Sequence, residues 1–198
     1  MATNTNTTTT CTTTNIVNVV ATGWLGAAVD LHNIAQRLWN VEYNTRRFSA
    51  AIHRQRSIRT TVLLFASGRF VCTGARSIAD AKQASRQFAR KIQKLLGAAA
   101  HIRFLDHKIE NVVGAMRCNH KISLAEFYAH RQQQCDWKQE SFPSGIRYQP
   151  HRSNPKLCAL VFPSGRCVLT GAKTEAEILE LGAEMKRLLL RYRPIIGC

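Results

Sequence analysis

Acidic residues are scarce in this 198-residue chain: 12 Asp and Glu stand against 28 Lys and Arg, for a formal net charge of +16. Such an imbalance points to a polyanionic partner, a nucleic acid or an anionic membrane. Long apolar runs are missing too, with none reaching the roughly 18 residues of a membrane-spanning helix. The opening MATNTNTTTT has neither a basic region nor an apolar one, so no secretory signal and a soluble intracellular protein are expected. No C-x-x-C pair occurs, and the seven cysteines (Cys11, Cys72, Cys118, Cys135, Cys158, Cys167 and Cys198) are odd in number. Neither a disulfide framework nor a zinc ribbon is expected. Cys118, His120, His130 and Cys135 make the best metal constellation, but their spacing fits no zinc module. No metal and no cofactor are expected. Paired carboxylates and Ser/His/Asp arrangements are also lacking, so nothing argues for an enzyme.

What is present begins with a tail. Residues 1–14 contain nine Thr and two Asn and have little to bury, so disorder is expected there. With 45% apolar residues, the remainder has material for a core. It also contains an internal repeat. SGRFVCTGARS at 67–77 returns as SGRCVLTGAKT at 164–174, and NVV at 18–20 returns at 111–113. Phe48 returns as Phe142 and Phe65 as Phe162. The slowly growing offset is that of a duplicated unit of about 90 residues with small loop insertions. The repeats are placed at 15–97 and 104–195, with a linker at 98–103.

Each repeat reads as strand, helix, several strands and a long helix. Asn15–Thr22 is β-branched and strand-like. Asp30 can cap a helix whose Leu31, Ile34, Ala35, Leu38 and Trp39 share one face. Strands are expected near 48–55, 60–67 and 69–75, then a helix capped by Ser77 and stopped by Gly97. The second repeat has a short helix after Ser123, strands near 143–149, 156–163 and 166–172, and a helix from Thr174 ended by Pro194. Along the strands both faces are largely apolar, yet the helices suffice to cover only one. The other face is either an exposed apolar binding surface or the inner face of a sandwich between the repeats. Pattern alone leaves both open.

NVVATGWLG (18–26), EYNTRRFSAAI (42–52), TTVLLFASGRFVCTGARS (60–77), HKIENVVGA (107–115) and VFPSGRCVLTGAK (161–173) together resemble the TATA-box-binding protein family. The resemblance implies an α+β fold: two pseudo-symmetric repeats form a saddle, with one curved antiparallel sheet of about ten strands and four helices on the convex face. It implies wedging of DNA by Phe48, Phe65, Phe142 and Phe162, since an aromatic edge can enter a base step. Asn18 and Asn111 match paired asparagines that can donate to minor-groove acceptors, and Thr73 and Thr170 offer hydroxyls. Val20, Leu63, Val71, Val113, Leu160 and Val168 match apolar contacts to the groove floor, where guanine's amino group would find no acceptor. Arg47, Arg54, Ser67, Arg69, Arg76, Ser164, Arg166 and Lys173 match or flank phosphate-contacting positions.

The same resemblance implies a nuclear initiation factor that binds and bends A·T-rich promoter DNA and nucleates preinitiation-complex assembly. Its partners would be factors like transcription factors IIA and IIB and the TATA-binding-protein-associated factors, without a membrane. The helix carrying Lys82, Arg86, Arg90 and Lys94 is the implied IIA-type surface, and Glu140 belongs to the implied IIB-type surface. The chain departs from the family at Lys138, where Glu is usual, and by an insertion of about three residues within 147–156. Alternatives are a diverged related factor with altered promoter and partner specificity, and an interaction scaffold without DNA binding.

Overall fold

The computed structural model describes residues 11–138, 140, 144–151 and 153–192. Phe142 and the expected helix-ending Pro194 lie outside the described residues, as do residues 1–10 of the tail. Ten strands and four α-helices are present among the described residues. In chain order they are β1 (Asn15–Trp24), α1 (Leu31–Arg37), β2 (Val41–Glu42), β3 (Ala50–Gln55), β4 (Thr60–Phe65), β5 (Arg69–Ala75) and α2 (Ile78–Leu96). Then follow β6 (Leu105–Arg117), α3 (Leu124–Arg131), β7 (Cys135–Asp136), β8 (Ile146–Tyr148), β9 (Cys158–Val161), β10 (Arg166–Ala172) and α4 (Glu175–Leu189). The strands form one antiparallel sheet in the order β2-β3-β4-β5-β1-β6-β10-β9-β8-β7.

Two compact units divide the chain. One is Ile16–Val112 with Lys173–Glu175; the other comprises the described parts of Met1–Asn15, Val113–Ala172 and Ala176–Cys198. In the first unit, α1 and α2 bury Leu31, Ile34, Ala84, Phe88, Ala89 and Ile92 against Ala51, Val62, Leu64, Phe70 and Cys72 of β3, β4 and β5. Phe88 sits between two rings, 5.6 Å from His53 and 5.7 Å from Phe70 between centroids. Burying a side chain of that size contributes about 2–3 kcal/mol. In the second unit, Phe127 of α3 packs edge-on against Tyr148 and Tyr192, at 5.5 and 5.0 Å. Ile178, Leu181, Met185, Leu188 and Leu189 are the buried side of α4.

The helix starts follow the cap chemistry. Asp30 accepts from the amides of His32 and Asn33 at 2.9 and 3.2 Å, Ser77 from that of Asp80 at 3.0 Å, and Ser123 from that of Glu126 at 3.4 Å. Two readings need correction. Helix α1 ends at Arg37, so Trp39 is not on its buried face and is 87% exposed. The backbone at Leu38 has already turned extended, which ends the helical period the spacing implied. Secondly, Cys11 and Cys118 form a disulfide, where the odd cysteine count implied no disulfide framework. The reason is local pairing: Cys11 bridges Cys118 antiparallel, and Thr12 donates its amide to the Arg117 carbonyl at 2.8 Å.

His53, on the helix side of β3, is 4% exposed, and neither ring nitrogen has a hydrogen bond. Burial pushes its pKa below the ordinary 6.5; the Lys91 charge adds to this, and the backbone at Asn40 and Trp39 opposes it. The unfolded chain therefore binds a proton near pH 6.5 that the folded chain resists. Stability is full above that pH and falls as pH drops below it. Replacing His53 with Leu should flatten the loss of thermal stability between pH 7 and pH 5, measured by melting at both pH values.

Candidate nucleic-acid interface

Alternation along the strands decides what faces away from the helices. In β1, Val19 and Ala21 are fully buried while Asn18, Val20 and Thr22 between them are half-buried. The same holds in β4 for Leu63 and Phe65, and in β5 for Val71 and Thr73. Register aligns these residues into rows. Thr22, Val71, Leu63 and Ile52 lie opposite one another across β1, β5, β4 and β3. Thr73, Thr61 and Arg54 form the next row. Neighbouring strands are about 4.8 Å apart, so the first row spans about 14 Å. It is an apolar strip with hydroxyls at its margin.

Phe48 and Phe65 stand at one end of this face. Their rings meet edge to face at 6.3 Å, and Phe48 is 44% exposed. A large aromatic left this open at the end of an apolar strip is available to a partner. The hairpin after Phe65 is held by Gly68, whose φ of +78° favours glycine and whose added Cβ would strike the Ala27 carbonyl. The second unit repeats the device after Phe162 with Gly165 at φ +80°, where the added Cβ would meet the backbone of Cys118 and His120. Ser67 and Ser164 are exposed on these two hairpins, beside exposed Arg69 and Arg166.

In the second unit the outward row is Val168, Leu160 and Arg147, across β10, β9 and β8. Val113, Phe162 and Thr170 are half-buried like their counterparts, and Asn111, assigned to the first unit, is half-buried as well. The expected base-contacting residues therefore occupy the outward sides of their strands within each unit. Of the four wedge candidates, the structure describes Phe48, Phe65 and Phe162.

Asn18 is more constrained than its sequence position suggests. Its side-chain oxygen accepts from the Gly74 amide at 2.7 Å and from the Thr73 hydroxyl at 3.1 Å. A backbone N–H can only donate, so the amide orientation is fixed and the NH2 end of Asn18 carries its outward donors. The Thr73 hydroxyl, expected to bond bases, is turned to Asn18 instead. Because Gly74 also holds that oxygen, the hydroxyl can swing away without orphaning it.

Exposed cations surround the face. Arg47, Arg54, Arg69, Arg76, Arg166 and Lys173 are all exposed. Arg54 pairs with Glu42 at 3.2 Å, and Lys173 with Glu110 at 3.9 Å. Glu110 also lies 3.7 Å from Lys108 and accepts from the Thr22 hydroxyl at 3.2 Å. The composition had not singled out Glu110, and only the register-dependent bond from Thr22 brings it to notice. On α2, Lys82, Arg86, Arg90 and Lys94 recur every fourth residue and are exposed, forming one basic stripe. Arg86 lies over the Phe104 ring at 5.8 Å. Glu140 is exposed in a turn.

Burial pushes the Cys167 thiol up to about 12 and the Cys135 thiol up to about 11, so neither offers a thiolate near neutral pH. Among the described residues no group of three or more His, Cys, Asp or Glu is placed to hold a metal ion. No helix of the described residues is long and apolar enough to cross a membrane.

Comparison with known proteins gives the family. The family model described as Transcription factor TFIID (or TATA-binding protein, TBP) matches residues 13–95 and 106–192. The chain belongs to the TATA-binding protein family. It is 44% identical over 176 residues to the TATA-box-binding protein of Acanthamoeba castellanii, covering 89% of this chain and 66% of that protein. It is 43% identical to the Xenopus tropicalis TATA-box-binding protein over the same 89% of this chain and 57% of that protein. Against the Acetabularia peniculus TATA-box-binding protein, identity is 40% and coverage 89% on both sides. The chain thus spans just under two thirds, or less, of two of these relatives. Among solved structures, Methanococcus jannaschii TBP superposes with a TM-score of 0.69 at 27% identity, over 91% of this chain and 99% of that one. The ten-stranded antiparallel sheet with four helices that the resemblance implied is the fold observed.

The Asn18 anchorage separates two substitutions. Asn18→Ala removes the acceptor, so the Gly74 amide should exchange faster with solvent and stability should fall by about 0.5–1.5 kcal/mol. Asn18→Asp keeps an acceptor oxygen and should leave the Gly74 exchange rate nearly unchanged. Hydrogen exchange read at Gly74 in both variants checks the assignment.

Proposed function

We propose that the chain is a non-enzymatic transcription initiation factor that binds A·T-rich, TATA-type promoter DNA in the minor groove and bends it. One observation carries the reading: each unit turns a half-exposed apolar row of its sheet away from its helices, in a chain of the TATA-binding protein family. An apolar strip against the groove floor leaves the guanine amino donor unmatched, whereas the NH2 of Asn18 can donate to adenine N3 or thymine O2. Desolvating an unpaired amino group costs about 1–3 kcal/mol, which disfavours G·C pairs. Phe48 and Phe65, with Phe162 and Phe142, would wedge base steps and kink the duplex.

The cations supply the sequence-independent part. Arg47, Arg54, Arg69, Arg76, Arg166 and Lys173, with Ser67 and Ser164, would neutralise or bond phosphates along the groove rims. The ion pairs of Arg54 and Lys173 are no obstacle, because exposed pairs are worth only about 0–1 kcal/mol. The factor would act in the nucleus and nucleate preinitiation-complex assembly. The α2 stripe suits an acidic partner such as a transcription factor IIA-like protein, and the turn at Glu140 a IIB-like one, with TATA-binding-protein-associated factors as further partners.

A diverged related factor is the second reading, and the second unit favours it. Lys138 stands where the family usually has Glu and pairs with Asp136 at 3.9 Å, so a IIB-like partner would meet a base there in place of an acid.

Two measurements test the main reading. An A·T-rich duplex should be shifted in a gel at protein concentrations that leave a G·C duplex free, and energy transfer between duplex ends should report a bend that Phe65→Ala reduces. Equal affinity for both duplexes would remove the minor-groove assignment. Arg69→Ala should weaken binding to all sequences and reduce the slope of log affinity against log salt by about one. Asn18→Asp should lose about 5- to 150-fold in A·T affinity, the worth of about 1–3 kcal/mol in base contacts.

A further inference from the structure

The two units are not equivalent on their outward faces. In the first, the row Val71, Leu63 and Ile52 is apolar, and Arg54 stands one row further along β3, opposite Thr61. In the second, the row Val168, Leu160 and Arg147 carries a guanidinium where the first has the Ile52 side chain. Two residues further along the chain, just past the end of β8, Gln149 occupies the place corresponding to Arg54. Ile-x-Arg in one unit has become Arg-x-Gln in the other.

The direction of Arg147 follows from its neighbours. Ile146 and Tyr148 are 0% and 2% exposed on the helix side, so Arg147 between them projects to the outward side. Its guanidinium makes one long contact, Nη2 to the Pro155 carbonyl at 3.5 Å. Asp136 lies opposite it in register on β7, and that carboxylate is paired with Lys138. The arginine is thus on the same face as Leu160, beside it, with no close ion pair among the described residues holding its charge.

Resting on the minor-groove reading above, we propose that Arg147 is a DNA phosphate-contacting residue of the second unit. It takes the role of Arg54 from one row nearer the Phe162 end. Two residues of strand are about 6.6 Å, a distance an arginine side chain spans, so the contacted phosphate differs from the one Arg54 meets. A guanidinium matches phosphate oxygens with paired donors, which neither Ile nor Gln does. The second unit then meets the backbone at a place not equivalent to the one that Arg54 serves in the first.

The test measures affinity for one A·T-rich duplex between 50 and 200 mM salt for the wild type, Arg147→Ile, Arg147→Lys and Gln149→Ala. Arg147→Ile copies the residue of the first unit, and a melting curve checks that it folds. It should lower the salt slope by about 0.9, whereas Arg147→Lys and Gln149→Ala keep the wild-type slope. Wild-type binding with an unchanged slope in Arg147→Ile would overturn the assignment while leaving the minor-groove reading intact. A folded wild type that binds no duplex would overturn both.

Discussion

Helices packed against a single side of the strands are the constraint on which the rest depends. A β-strand shows alternate residues to opposite sides, so once Val62, Leu64, Phe70 and Cys72 are committed to α1 and α2, the intervening side chains are committed to the other side. Leu63, Phe65, Val71 and Thr73 cannot reach the core without a slip of register that would expose the first set. Strands apolar on both sides, with helices for one side only, leave an apolar strip half open. In a globular protein that has no partner such a strip is a liability. In the first unit the Gly68 hairpin and exposed Phe48 stand beside it, and in the second the Gly165 hairpin.

Much of this was legible in the sequence, for physical reasons that can be named. The caps at Asp30, Ser77 and Ser123 and the alternation in 60–65 and 166–172 are local features, and the structure keeps all of them. The illegible features depend on register or on distant segments. Strands β2 and β7 have two residues each and exist only because β3 and β8 offer an edge. The Cys11–Cys118 disulfide joins residues 107 apart, and no spacing rule predicts that pair. Trp39 continued a helical period that the backbone ends at Leu38. The tie between Asn18 and Gly74 needs β1 and β5 side by side, with the register shift between Val19 and Ala21 in place.

That tie also limits what the Asn18 side chain can do. A free surface Asn samples several rotamers and two amide orientations, and any partner would have to freeze them. With its oxygen held by a backbone donor, Asn18 has lost much of that freedom on folding, so less would remain to be lost to a partner. Thr73 then serves as part of the anchor as well as a candidate contact.

Charge is arranged by a similar logic. A net +16 opposes compaction, yet the outermost strands place acids among the cations of the face: Glu42 beside Arg54, and Asp136 beside Lys138 and across from Arg147. On β6, Glu110 does the same for Lys108 and Lys173. Each exposed pair is worth at most about 1 kcal/mol, and at physiological salt screening confines it to about 8 Å. The pairs are strong enough to bias long side chains toward the face and too weak to keep them from a phosphate. A DNA duplex, with about one negative charge per 1.7 Å of its axis, would outcompete isolated carboxylates at such sites. The acids therefore limit self-repulsion in the free protein while leaving its cations open to the polyanion that the proposed function assigns to them.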